Sequence, residues 1–188
     1  MSETGTGNLA TLEALLKAQS EKGLPPVERW QPPYCGDIGM RIRSDGTWLY
    51  QGSPIGRKPL VRLFSTVLRK DADGRHYLVT PVEKVDVTVD DAPFLAVEMA
   101  VSGAGAEQVL TFRTNVDDVV RCGPDHPLRF AVEPASGGLK PYLLVRGRLE
   151  ALVTRAVYYD LVELAVAEGE SFGVWSGGAF FVMPQLPG

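Results

Sequence analysis

The sequence predicts an α+β protein of two related halves, and three observations carry that prediction. Residues 37–43 alternate, with Ile38, Met40 and Ile42 on one side and Asp37, Arg41 and Arg43 on the other. This is the period-two signature of a strand with one buried face, and similar runs recur through most of the chain. Leu60, Leu63, Phe64, Val67 and Leu68 follow the 3-4-3-4 spacing of one apolar helical face. Finally, a strand ending in glycine, a helix, and a strand ending in proline occur twice. The first copy runs from Trp48–Gly52 to Tyr77–Pro81 and the second from Leu143–Gly147 to Phe180–Pro184. An internal repeat of this kind points to a duplicated strand-helix-strand core.

Taken in order, residues 1–8 are small and polar, and Leu12, Leu15 and Leu16 suggest a short helix over 9–22. Gly23, Pro25 and Pro26 end it. Residues 30–34 read as an extended, proline-stiffened linker. Ser44, Asp45 and Gly46 form a tight turn and residues 47–50 a returning strand, so 37–50 is a hairpin. Pro59 marks a helix start, because a proline at the first helical position lacks an N–H that has no partner there anyway. The helix is expected over 59–70. Strands follow at 76–81, 82–89, 94–101, 108–114 and 118–121. Residues 123–127, rich in glycine and proline, read as the main boundary. Strands at 128–132 and 142–146, a long helix over 149–168, and a hairpin of 172–176 with 179–183 complete the chain. The expected organisation is an N-terminal helix and linker at 1–36, a first half at 37–122, and a second half at 123–188 packed on it.

At 188 residues, 45% hydrophobic and 22% charged, the chain has an ordinary globular composition and can bury a sizeable core. No apolar run reaches the ~18–20 residues that span a bilayer. The N-terminus lacks the basic start and apolar stretch of a secretory signal. The expected compartment is therefore the cytoplasm, with no membrane partner. Two cysteines do not make a disulfide framework. A net charge of −4 argues against nucleic acid as the partner. Residues 37–70 nevertheless hold seven cations against two acids, and residues 71–100 two cations against seven acids. Either a local basic surface receives a small anion, or neighbouring elements pair their charges with one another.

Arg57 and Lys58 stand between a loop bracketed by Gly52 and Gly56 and the expected helix start. Free N–H groups and the helix dipole attract anions there. The loop is not a P-loop, since three residues rather than four separate its glycines and Pro59 follows Lys58. The alternative is a plain connector with two solvated cations. In the long helix, Asp160 projects toward Leu149, Val153 and Leu164. It then either needs a partner such as Arg146 or Arg148, or reaches the rim. Cys35 beside Asp37 could serve as a reactive thiol, although a lone cysteine is more often a small apolar residue. His76 and His126 cannot be tied to it from sequence. Cys122 and His126 have a spacing found in metal sites, but two ligands make no site, and no metal or cofactor is expected.

WQPPYCGDIGMRI, DGTWLYQGSPIGRKPLVRLFSTVLR and YLVTPVEK resemble the bacterial proteins of unknown function grouped as DUF1285. The resemblance runs from about Trp30 to the C-terminus, where Arg146-Gly147-Arg148 and Tyr158-Tyr159 also fit. It implies a two-part α+β fold with a duplicated core and a C-terminal half superficially like a pleckstrin-homology domain. It also implies a ligand site between the halves for a nucleotide-like molecule, and a role in signalling. Aromatic faces beside arginines can hold a flat ring and its phosphate. The expected ligand-binding residues are Tyr34, Cys35, Asp37, Arg41, Trp48, Tyr50, Ser53, Arg57, Lys84, Arg146 and Arg148. The expected function is sensing or signalling through a small anionic ligand, with no catalytic residue and no assigned protein partner. The alternatives are a hydrolase or thiol-dependent enzyme centred on Cys35 and Asp37, and a protein-interaction scaffold.

Overall fold

The computed structural model of the chain describes residues 23–185, so the helix expected over 9–22 lies outside the described residues. The chain divides into two compact units, Met1–Asp91 and Ala92–Gly188.

The first unit contains β1 (Tyr34–Ile42), β2 (Trp48–Tyr50), β3 (Ser53–Pro54), α1 (Lys58–Ser65), β4 (Leu68–Lys70), β5 (His76–Val79) and β6 (Lys84–Val89). Its sheet has the order β3-β2-β1-β6-β5-β4. The predicted hairpin is present, with Ile42 opposite Trp48 and Met40 opposite Tyr50. Its turn is closed by Asp45 Oδ1, which accepts the Thr47 N–H at 2.9 Å. Met40 and Ile42 are buried while Arg41 is exposed, as alternation requires. β1 and β6 pair in parallel, with register breaks between Tyr34 and Met40 where Gly36 and Gly39 take positive φ.

α1 buries Leu60 and Phe64, and the Phe64 ring stacks on Trp48 with centroids 6.4 Å apart. The helix is shorter than predicted. Ser65 and Thr66 donate their hydroxyls back to the Arg62 and Leu63 carbonyls at 2.6 Å, which competes with continued helix. Leu68 then pairs with Leu78 as the start of β4. The apolar residues do reach one core, but Val67 does so from the turn after the helix and Leu68 from β4.

The second unit contains β7 (Phe94–Ser102), β8 (Val109–Thr114), β9 (Val119–Arg121), β10 (Leu128–Val132), β11 (Leu139–Arg146), β12 (Leu149–Val153), α2 (Arg155–Glu163), β13 (Val166–Glu168), β14 (Ser171–Ser176) and β15 (Ala179–Val182). A six-stranded sheet runs β10-β11-β12-β7-β8-β9, and β13, β14 and β15 form a separate three-stranded sheet. In each unit two three-stranded meanders join through a parallel pair between the first and last strands, β1 with β6 and β7 with β12. The halves are thus related, but through six-strand sheets rather than the strand-helix-strand module expected from sequence. β2 and β5 correspond in sheet position to β8 and β11, not to β11 and β15. Glycine or proline ends many strands in this chain, so that local signature could not fix the register of the repeat.

Two further expectations are corrected. The stretch 149–168 is strand, helix and strand rather than one helix. Leu149, Ala151 and Val153 are buried in alternation, and β12 pairs with Phe94, Leu95 and Ala96. A helix apolar all round and a strand feeding a short helix look alike in sequence. Asp160 therefore lies exposed on α2, and Arg146 is engaged by Asp118 at 2.7 Å instead. The loop at 123–127, expected at the boundary between halves, connects β9 to β10 inside the second unit. The division falls after Asp91.

The three-stranded sheet is fastened to β8. Ser176 Oγ accepts from the Leu110 N–H and donates to the Cys122 carbonyl, both at 2.8 Å. Gly177 has φ +61°, and a Cβ there would stand 2.8 Å from the Cys122 carbonyl oxygen. Only glycine tolerates both the conformation and the approach. No described helix is long and apolar enough to cross a membrane.

Candidate functional site

The structure scatters the predicted site residues. Trp48 is 1% exposed and belongs to the core of the first unit. Tyr50, half-buried, faces Met40 across the β1–β2 hairpin. Ser53 is exposed in β3, and Arg57 is exposed at the N-cap of α1, with Pro59 in the first helical turn. Cys35 is exposed near the start of β1, its Sγ 3.4 Å from the Pro33 carbonyl oxygen. Asp37 accepts the Gly39 N–H at 2.7 Å. Arg41 pairs with Asp90 at 2.8 Å. Arg146 and Arg148 belong to the second unit, the former lying over the Phe94 ring as well as pairing with Asp118. His76 is buried in β5, and His126 Nδ1 contacts the Leu144 carbonyl.

Among the described residues of the first unit, Tyr50 and Ser53 are partners across β2 and β3, and Tyr34 and Lys84 come together in a polar cluster along β1, β5 and β6 whose other members the sequence reading missed. Tyr34 donates its hydroxyl to Asp86, which also takes the Arg75 guanidinium. Tyr77 donates to Asp73 at 2.6 Å. The Lys84 ammonium lies 4.4 Å from the centre of the Tyr77 ring and 3.1 Å from Asp71, which also binds Arg69 at 2.6 Å. Arg69, 5% exposed, reaches further to the carbonyls of Val27 and Trp30 at 2.7 and 2.8 Å. Hydrogen bonding to Asp73, with burial, pushes the Tyr77 phenol up to about 12. Burial pushes the Asp71 carboxyl up, but the bonds from Arg69 and Lys84 outweigh it and leave Asp71 below its ordinary value. Three cations meet three carboxylates here. The acidic stretch after residue 70 therefore pairs with its neighbours, and Lys84 and Arg75 each already face a carboxylate, Asp71 and Asp86.

The second unit offers open concave surface on either side of α2. The helix buries Val157 and Leu161 beneath it. Arg155, Tyr158 and Tyr159, spaced i, i+3, i+4, line a groove of about 350 Å³ together with Lys140, Leu152 and Ser136. Tyr159 is 59% exposed, and its ring centroid is 6.2 Å from that of Tyr158. Arg155 is the first residue of α2. Thr154 caps without a side-chain hydrogen bond, and the first turn carries no acidic residue. The dipole's positive end, a guanidinium, an ammonium and two phenol rings thus share one concavity. Glu133, hydrogen-bonded to Ser136 at 2.7 Å, is its one carboxylate. Ala156, Val157 and Asp160 line a second groove of about 530 Å³ over β7, β8 and β9.

The tyrosine pair was visible in the sequence but looked like part of a long buried helix. Helical spacing, already expected over 149–168, puts Arg155 on the same face as both rings, and what was missed is that this face is open. Among the described residues no group of three or more His, Cys, Asp and Glu could hold a metal. Burial pushes the Cys122 thiol up to about 11.

Comparison with known proteins gives the chain its relatives. The model for the N-terminal domain of DUF1285, a domain of unknown function, matches residues 25–92, and that for the C-terminal domain matches residues 93–183. The junction falls one residue after the division between the units. A crystal structure of a DUF1285 family protein from Silicibacter pomeroyi DSS-3 is 51% identical, with a TM-score of 0.85, covering 92% of this chain and 93% of that one. One from Shewanella baltica OS155 is 26% identical, with a TM-score of 0.53, covering 67% and 91%. No curated protein matches.

Proposed function

Because the chain belongs to the DUF1285 family, whose domain descriptions name no activity, its function is read from its own geometry, and we propose that it binds a small anionic ligand carrying a flat ring, as a nucleotide does. The observation that carries this is the groove at the start of α2. Arg155 and Lys140 supply charge for a phosphate, the helix start supplies N–H groups, and Tyr158 and Tyr159 supply ring faces. Its volume of about 350 Å³ suits a small ligand or the recognised part of a larger one. Among the described residues Arg155 forms no ion pair, in contrast to Lys84 and Arg41. Sensing or signalling is the role such binding would serve. The likeness to a pleckstrin-homology domain belongs to the same reading, supported by a six-stranded sheet followed by a helix after its last strand.

The test is thermal unfolding with AMP, adenosine and inorganic phosphate, on the wild-type protein and on Arg155→Ala and Tyr159→Ala. Both positions are exposed, so the variants should fold. A compound at 100 times its dissociation constant stabilises the protein by about 2.7 kcal/mol. Stabilisation by AMP that exceeds that by phosphate and falls in both variants is the expected result. Equal behaviour of wild type and variants toward all three compounds would refute the proposal.

A further inference from the structure

The larger groove, on the other side of α2, has the opposite character. Its floor and walls are Val97, Met99, Phe112, Val119 and Val157, with Glu98, Arg113 and Asp160 as its charged groups. Val119, in edge strand β9, is 71% exposed at one side. The one cation is already taken. Arg113 donates to both Glu98 oxygens, at 2.9 and 3.1 Å, and to Asp117 at 2.9 Å. These carboxylates hold the guanidinium well above its ordinary value.

Asp160 is different. It projects from α2 beside Ala156 and Val157, one turn apart on the same face. It has no hydrogen bond or ion pair among the described residues. An apolar trough of about 530 Å³ therefore carries one carboxylate whose charge is not answered among the described residues. An anion placed there would meet the carboxylates of Glu98 and Asp160 and a guanidinium already paired with Glu98 and Asp117. A neutral apolar molecule would leave the carboxylate against an apolar surface, which costs free energy. A cation on an apolar body satisfies both features.

We propose that this groove is a binding site for a small organic cation, an ammonium group on an apolar or aromatic body, with Asp160 as the counter-ion and Met99, Val119 and Val157 as the apolar bed. The site is independent of the anionic groove, since it uses other residues of α2 and the opposite charge.

The experiment is a two-dimensional amide NMR titration of the full chain with phenethylamine, 2-phenylethanol and 3-phenylpropionate, which share an aromatic body and differ in charge. The expected result is saturable shifts at Ala156, Val157, Asp160, Thr111 and Val119 with phenethylamine. The alcohol should bind at least about threefold more weakly, and the carboxylate should not bind. Asp160→Asn, an exposed and nearly isosteric change, should reduce the affinity for phenethylamine to that for the alcohol while leaving the alcohol's affinity unchanged. Equal affinity for amine and alcohol in the wild-type protein would overturn the proposal, as would an unaltered amine affinity in Asp160→Asn or shifts that map elsewhere.

Discussion

Acidification should weaken the first unit through one buried ring, His76. The residue is 9% exposed in β5, flanked across the sheet by Lys70 and Val87, and its Nε2 is buried without a hydrogen-bond partner. Burial first, and the Lys70 charge second, lower its pKa from 6.5 to about 4. The folded state therefore holds a neutral ring while the unfolded chain takes up a proton below pH 6.5. Stability attributable to this ring is intact above the unfolded value and is lost as the pH falls from there toward 4. Integrating between pH 7.5 and 5 gives about 2 kcal/mol, and residual solvent screening reduces that to about 1–2 kcal/mol. The assay is urea unfolding of wild type and His76→Leu at pH 7.5, 6 and 5. Carboxylates such as Asp71, Asp73 and Glu98, whose pKa values are lowered, lose their contributions only near and below pH 4, and equally in both proteins. The gap between wild type and variant should move by about 1–2 kcal/mol in favour of the variant at pH 5. A gap independent of pH would refute the reasoning, because a ring that stays neutral in both states or is charged in both cannot contribute a slope.

Three further outcomes are expected. Gly177→Ala should cost about 2–4 kcal/mol, because its positive φ and the Cys122 carbonyl both oppose a Cβ. Gly178→Ala, with φ +86° and no atom within 4 Å, should cost about 1 kcal/mol, and thermal melts that do not separate the two would contradict the packing described. Arg69→Ala should cost about 3 kcal/mol, since it leaves Asp71 partly buried beside Lys84 alone. It should also release the segment around Val27 and Trp30, visible as faster hydrogen exchange there. In native protein at pH 8 a thiol reagent should modify the exposed Cys35 and spare Cys122, which is buried with its thiol pushed up to about 11; prompt reaction of both would show that the second unit opens readily.

Much of the secondary structure was legible. The β1–β2, β7–β8 and β14–β15 hairpins follow from alternating apolar residues and glycine turns, signals confined to a few neighbouring residues. The helix limits were less legible, because Val67 and Leu68 extend the apolar spacing of α1 while the Ser65 and Thr66 hydroxyls and the pairing with Leu78 end it. The candidate site was the least legible. Charge and aromatic content drew attention to the stretch around Tyr34, Arg57 and Lys84. Which cations are already answered by carboxylates depends on contacts such as Arg41 with Asp90, 49 residues apart, and Arg146 with Asp118, 28 apart.

The sequence by itself determined that the chain is α+β, that it comprises two related halves, and that it resembles DUF1285, because patterning and turn chemistry act over short stretches. The tertiary structure decided that the repeat is a six-strand sheet closed by a parallel pair, since β1 finds β6 and β7 finds β12 only through long-range pairing. It also decided that the open concavities flank α2. A groove exists where two packed elements diverge, and no run of adjacent residues encodes that.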